Sequence, residues 1–245
     1  MPKALIICPV GGPITNDPRY NKFEHWRITD AVERFYETIV VQYSDFEPEF
    51  GTYDKLIKMK GFKWSMAKEL LKTLDYSKYD FIGFMDDDLV TDIDNMNKAI
   101  HTAYYHSAAA FQLSVTPDSD IFWPILVQKP GVVIAYTNFI EVMGMFISTR
   151  MIPRCRELWD QYDIYTGWGF DKVLCDLMDE SAMVIHCSSM YHPKKQESTY
   201  DKTAAFVEMD HLLLDVFPNF MSYKYNKEWR FKEKQEDIKL KMETT

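Results

Sequence analysis

The sequence predicts an α/β layer fold with a mainly parallel sheet. Three observations predict it. Apolar, strand-like runs alternate with helical segments through most of the 245 residues. One of these runs, Phe81-Ile82-Gly83-Phe84-Met85, ends directly on Asp86-Asp87-Asp88, and open α/β sheets bind their ligands at the carboxyl ends of strands. No internal repeat, low-complexity tract or linker breaks the pattern. A single domain over residues 1–223 is expected, followed by a charged helix or tail over 224–245.

The elements follow in order. Residues 4–10 read as a first strand that breaks at Gly11-Gly12-Pro13. Residues 28–36 have helical spacing, and 38–43 read as a second strand. Over residues 63–74, Trp64, Ala67, Leu70, Leu71 and Leu74 fall on one side of a helix that leads into the Phe81 strand. Asp92 or Asp94 caps the next helix, which runs to about Ser107. Strands are expected at 110–115, 132–136 and 140–147, and Pro153 suits the first turn of a helix continuing through Trp159. Asp171 opens another helix to Met178, a strand follows at 183–187, and residues 203–216 form a helix ended by Pro218.

Bulk properties exclude several function classes. The formal charge is −9 and no basic stripe is present, which argues against a nucleic-acid binder. Cys8, Cys155, Cys175 and Cys187 are scattered without a CxxC pair, so neither a zinc knuckle nor a disulfide framework is indicated. Reduced thiols fit a cytoplasmic protein. The apolar start, MPKALIICPVGGP, ends in a turn cluster instead of a small-residue cleavage site and reads as a strand, not a signal sequence. No run approaches the ~20 apolar residues that span a bilayer. Aromatic residues make up 15% of the chain, enough to supply rings for stacking on a flat ligand as well as the core.

Three constellations carry chemistry. Adjacent carboxylates repel unless something positive joins them, so Asp86 and Asp88 read as oxygen ligands of a hard divalent cation. The competing reading is a solvated loop that caps the following helix. An EF-hand fails because Val90 stands at a ligand position. Second, in Thr166-Gly167-Trp168-Gly169-Phe170-Asp171 the glycines Gly167 and Gly169 allow close backbone approach to a ligand. Trp168 offers a flat wall, with Trp123 as another candidate, and Asp171 is either a helix cap or a proton acceptor or sugar-hydroxyl partner. Third, His192 can complete a carboxylate metal site, while Lys194 and Lys195 neutralise a diphosphate. His186 reads as structural.

These motifs, in this order, resemble the GT-A group of nucleotide-sugar-dependent glycosyltransferases. The closer likeness is to a branch that includes majastridin and a plant family of unknown function. The matching stretches are YDFIGFMDDDL, QLSVTPDSD, FIEVMGMFIS, TGWGFDKVLCDLM and VIHCSSMYHP. The resemblance implies that Asp86 and Asp88, with His192, hold Mn²⁺ or Mg²⁺ bridging the diphosphate of a nucleotide sugar, UDP-linked by the same likeness. It places Asp87 and Lys63 among the nucleotide contacts, with helix capping as the other role for Asp87 and helix-start solvation for Lys63. Pro9, Val10, Tyr43 and Ser44 would bracket the base, and Asp118 and Glu141 match acidic positions that contact sugar or acceptor. The chain departs from the pattern at two points. Asp87 stands where the plant branch tends to have Glu, and Lys172 stands where some inverting enzymes place their base.

The expected reaction is metal-dependent transfer of a glycosyl group to a hydroxyl of a glycan, lipid, protein or small molecule. Asp171 or Glu141 is the expected base if the configuration inverts. Two alternatives stay open. Asp86-x-Asp88-x-Val90 also fits the nucleophile loop of haloacid-dehalogenase-type phosphatases, with Asp86 as nucleophile, although Asp179-Glu180 is a poor match to their acidic pair. A non-catalytic nucleotide- or sugar-binding protein on the same fold is the other.

Overall fold

In the computed structural model, residues 1–12, 26–27, 33–48, 51–193, 202–216 and 238–239 are described. The apolar run ALIICPV forms strand β1 (Ala4–Val10), buried along its whole length. Such a run has no solvated face, as expected of a strand covered on both sides. β1 pairs in parallel with β2 (Tyr36–Gln42) and with β4 (Phe81–Met85). The short edge strand β3 (Lys55–Lys58) continues the parallel set beyond β2. Helix α1 (Lys63–Thr73) buries Trp64, Ala67, Leu70 and Leu71, as its spacing predicts, and Met66 besides, while Leu74 is its half-buried C-cap. Helix α2 (Ile93–Tyr105) begins at Asp92, whose side chain accepts from the Asn95 N–H.

The second half extends the sheet through β5 (Ala110–Val115), β6 (Val132–Thr137), β7 (Gly144–Ser148) and β8 (Ala182–Met190). A two-residue strand β9 (Ile238–Lys239) pairs antiparallel with β6. The order across the sheet is β3-β2-β1-β4-β7-β5-β8-β6-β9. β7 runs against both β4 and β5, whereas β8 is parallel to β5. The carboxyl ends of β1, β2, β4, β5 and β8 therefore share one edge of the sheet, and the segment entering β7 meets them there. Every strand-end motif singled out in the sequence reaches that edge. Helices α3 (Ile152–Gln161), α4 (Phe170–Met178) and α5 (Lys202–His211) complete the described elements, with a π-helical turn at Leu212–Val216.

Four expectations need correction. The strand expected at 140–147 starts only at Gly144. Before it the chain turns, because the Glu141 N–H donates to Gln112 Oε1 at 2.6 Å and the Val142 carbonyl accepts from Lys63 at 2.6 Å. Helical spacing at 28–36 does not carry through: residues 28–32 lie outside the described residues, and Tyr36 begins β2. Asp171 does not open α4; Gly169 does, with φ at 92°, and Asp171 sits in the first turn. The helix expected over 203–216 changes to π-helical hydrogen bonding after His211. Edge strand β3 lacked a signal because KLIK has no buried residue. Pro218 lies outside the described residues.

β8 carries a wide irregularity: Leu113 pairs with Ile185, yet the next residue, Ser114, pairs with Ser189. The extra residues are tied by Gln128 Nε2 to the His186 carbonyl at 3.2 Å and by Ser114 Oγ to the Ser188 carbonyl at 2.7 Å. The His186 ring is buried here, its Nδ1 accepting from the Lys129 N–H at 3.3 Å. Such irregularities re-aim a strand end, and this one leads to His192.

Candidate functional site

β4 delivers the acidic tripeptide. Its five residues are all buried, so the chain emerges from the core at Asp86. Asp86 Oδ1 lies 2.8 Å from Lys63 Nζ, which also donates to the carbonyls of Val142 at 2.6 Å and Met143 at 3.4 Å. Lys63 therefore binds the first carboxylate and the turn before β7 at once. Asp87 is 6% exposed and accepts from the Gly11 N–H at 3.3 Å. Burial, reinforced by the Asp88 charge, raises its pKa to about 7; Arg27 and the Gly11 N–H oppose the rise. Asp92, not Asp87, caps α2.

Asp88 is fully buried, and its Oδ2 lies 3.5 Å from His192 Nε2. A backbone bridge makes this meeting possible. Val90 and Tyr191 exchange N–H···O bonds of 2.9 and 2.7 Å, which locks the end of β8 onto the acidic turn. The His192 N–H donates to Ser119 Oγ at 3.0 Å, and the Asp120 N–H donates to the His192 carbonyl at 2.8 Å. The His192 Nδ1 lies 3.3 Å from the Asp120 carbonyl. A proton on Nδ1 satisfies that carbonyl and leaves the Nε2 lone pair facing Asp88, the arrangement that orients imidazole ligands.

Carboxylate oxygens suit Mn²⁺ or Mg²⁺, and an imidazole donor favours a transition ion such as Mn²⁺ over Mg²⁺. Asp88 and His192 converge, while Asp86 is engaged by Lys63. Among the described residues no three His, Cys, Asp or Glu side chains are gathered closely enough to form a metal cluster.

A second group lies at the start of α4. Asp171 is 6% exposed, and burial lifts its pKa to about 6, against the pull of Lys172 and of backbone N–H groups including that of Gly169. Lys172 is itself buried: its Nζ is 4.0 Å from Asp171 Oδ1, 4.6 Å over the Trp123 ring and 5.4 Å over Phe139. Two aromatic faces and a carboxylate compensate this ammonium for lost water. Glu141 is raised to about 7, first by desolvation. The charges of His192 and Lys172 favour its ionisation, and those of Asp171 and Asp86 oppose it. Glu141 thus stands electrostatically between the acidic turn and α4.

At the ends of β1 and β2, Pro9 and Val10 pair with Val41 and Gln42. The Tyr43 N–H donates to the Val10 carbonyl at 3.2 Å, and Ser44 Oγ donates to the Gly11 carbonyl at 2.7 Å. The Tyr43 ring rests on Gly11 so closely that an added Cβ would fall 2.1 Å from it. Gln42 is a residue the sequence reading missed. It is 5% exposed, its Nε2 donates to the Phe46 carbonyl at 2.6 Å, and its Oε1 has no hydrogen-bond partner among the described residues. It lines a surface cavity of about 420 Å³ with Ser44, Asp45, Glu47, Lys58, Met59 and Lys60. Arg27, whose charge acts on Asp87, was also missed. Neither could be found without knowing which distant segments meet at this edge.

The remaining candidates are more scattered. Asp118 is exposed in the turn closed by the Ser119 N–H to the Thr116 carbonyl. Trp168 is half-buried, edge-on to Phe206 with centroids 5.0 Å apart. Gly167 and Gly169 do permit close approach, but to the protein itself. A Cβ at Gly167 would lie 2.1 Å from Trp64 Nε1, and one at Gly169 would lie 3.1 Å from Met209 Cγ. Lys194 and Lys195 lie outside the described residues.

No protein-family model and no curated protein sequence matches the chain. Solved structures do. A Staphylococcus aureus TarS fragment, residues 1–349, aligns with TM-score 0.51 at 13% identity over 91% of this chain and 75% of that one. GalNAc-T7, crystallised with UDP, GalNAc and Mn²⁺, aligns with TM-score 0.58 at 9% identity over 91% of this chain. The chain spans 50% of the GalNAc-T7 structure and 40% of a longer TarS structure. These likenesses establish the fold alone: a mixed, mainly parallel sheet flanked by helices, of the GT-A type.

Proposed function

We propose that this protein is a metal-dependent glycosyltransferase that moves a sugar from a nucleotide diphosphate sugar, UDP-linked, to an acceptor hydroxyl. One observation carries the reading. On a GT-A fold, a buried Asp88 and the distant His192 are brought together at the carboxyl end of β4, beside Asp86 and Asp87. GalNAc-T7, of the same fold, was crystallised with UDP and Mn²⁺, which supports a nucleotide and a divalent ion as ligands here.

Asp88 and His192, with Asp86, are the residues that would hold Mn²⁺ or Mg²⁺. The bound ion would supply Lewis-acid stabilisation of the departing diphosphate. The chain's own residues do the rest. Pro9, Val10, Tyr43 and Ser44 border the base, and the Oε1 of Gln42, unpartnered among the described residues, offers an acceptor for a base N–H. Lys63, beside Asp86, with Lys194 and Lys195, supplies positive charge for the diphosphate. Asp171 or Glu141 accepts the acceptor proton; both carboxyls titrate near neutrality, where a general base is effective. Trp168, Gly167, Gly169 and Asp118 are assigned to the sugar and acceptor side. The acceptor is a glycan, lipid, protein or small molecule.

Among the described residues no helix is long and apolar enough to cross a membrane. The four cysteines are free thiols, which supports a cytoplasmic setting. We assign the catalytic domain to residues 1–223, with the strand Ile238–Lys239 from the segment beyond it added to its sheet.

The test is product release. Incubation with a panel of UDP-sugars and GDP-sugars, with and without Mn²⁺, is expected to release UDP slowly to water only with metal present. A parallel assay on p-nitrophenyl phosphate is expected to be blank. Phosphate-ester hydrolysis abolished by Asp86→Asn, with no UDP release, would favour the phosphatase reading. Nucleotide binding without turnover would favour a non-catalytic binding protein.

A further inference from the structure

Glu208, on α5, takes no part in the chemistry proposed above, yet its carboxylate is held by three consecutive backbone N–H groups. The Tyr165 N–H donates to Oε2 at 3.1 Å. The Thr166 N–H is shared between Oε2 at 3.0 Å and Oε1 at 3.1 Å. The Gly167 N–H donates to Oε1 at 2.9 Å. Successive amides aimed into one concavity form a backbone nest, the device by which loops capture carboxylates and phosphates. The turn makes the nest by itself: Gly167 has φ at +82°, which favours glycine, and the Trp168 N–H donates back to Thr166 Oγ1 at 3.2 Å. Tyr165 is exposed and Glu208 half-buried, so solvent reaches the rim.

We infer that Tyr165–Gly167 is an oxyanion receptor, filled in this state by the chain's own Glu208 and able to seat a small carboxylate in its place. The occupant has a consequence for the neighbouring site. From Gly167 the chain passes through Trp168 and Gly169 into α4, where Asp171 lies in the first turn. α5 packs Met209 on Gly169 and Phe206 edge-on to Trp168. With Glu208 seated the nest thus fastens α5 to the turn that leads to Asp171, and a free carboxylate in its place releases α5 from that turn. Glu208 is a positioning residue for that turn, and the nest, not the glutamate alone, is the site.

The experiment compares the full chain with Glu208→Ala and Glu208→Gln, using sodium acetate as the probe and sodium chloride at matched ionic strength as the control. Glu208→Ala is expected to melt below the wild type, and acetate is expected to recover the midpoint saturably. In the wild type Glu208 competes for the nest, so a response to acetate is expected only at concentrations well above those that act on Glu208→Ala. A midpoint unchanged by Glu208→Ala, or an acetate effect equal to that of chloride, overturns the receptor. Should Glu208→Ala fail to fold, Glu208→Gln decides. Its amide keeps one acceptor oxygen and turns an NH₂ towards the remaining N–H groups, so hydrogen exchange at 165–167 is expected to quicken at least tenfold while β4 amides hold their rates. Unchanged exchange at 165–167 overturns the proposal. No arm uses a sugar nucleotide, so failure of the receptor and failure of the glycosyl-transfer reading appear in different assays.

Discussion

Asp171 is the residue at which stability and chemistry pull apart. Its carboxyl titrates near 6 in the fold against 3.8 in the open chain, chiefly because burial penalises the charge. A raised carboxyl pKa means that ionisation favours the unfolded chain: the cost is absent below about pH 4 and complete above about pH 6. Asp171→Asn is therefore expected to raise the thermal midpoint at pH 7.5 and leave it unchanged near pH 4. If Asp171 is the base, the same variant lowers turnover by roughly 10²–10⁴-fold. Lower stability at pH 7.5 would show that the buried charge is fully compensated by Lys172. Trp64 is a different case, packed between Phe84 at 4.8 Å, Phe170 at 5.0 Å and Trp159 at 5.7 Å. Trp64→Ala is expected to cost about 3–5 kcal/mol in urea unfolding, with loss of the turn that rests on it.

At the scale of elements, the turn before α4 and the one before β6 make a controlled pair. Gly131 and Gly167 both have positive φ, +77° and +82°, but a Cβ at Gly131 meets nothing within 4 Å whereas one at Gly167 meets Trp64 at 2.1 Å. Gly131→Ala should cost only the backbone strain, about 1 kcal/mol. Gly167→Ala adds overpacking and should cost about 3 kcal/mol or more. Equal losses in denaturant titrations would mean that Trp64 yields without cost. This pair also marks what the sequence made legible. Glycines flanking Trp168 announce a close backbone approach, but the partner that approaches, Trp64 or Met209, is set by tertiary packing that no local pattern encodes. β1 and β4 were legible as continuous apolar runs, the mark of strands covered on both faces, and α1, α2 and β5 by the period of their apolar residues. β3 and the turn at 140–143 were not, since an exposed KLIK and a chain held by Lys63 and Gln112 carry no such period.

For the whole molecule, the decisive feature is that the parallel strands deliver their carboxyl ends to one sheet edge. The meeting of Asp88 and His192 was legible because their residue types and order are informative, whereas the pairing of Asp86 with Lys63 was not. Gln42 and Arg27 became visible only when the edge was assembled. That edge is where a nucleotide and a metal should bind together, and binding to the folded chain alone stabilises it by about 2.7 kcal/mol at a hundredfold excess over Kd. UDP with Mn²⁺ is accordingly expected to raise the thermal midpoint, and EDTA to cancel the gain. The most direct measurement is calorimetric titration of UDP, with GDP as comparison, in Mn²⁺ or in EDTA, on the wild type and on Asp88→Ala. The proposed function predicts saturable UDP binding that needs the metal and vanishes in Asp88→Ala. UDP binding that persists in EDTA or in Asp88→Ala, or no nucleotide binding under any condition, would contradict it.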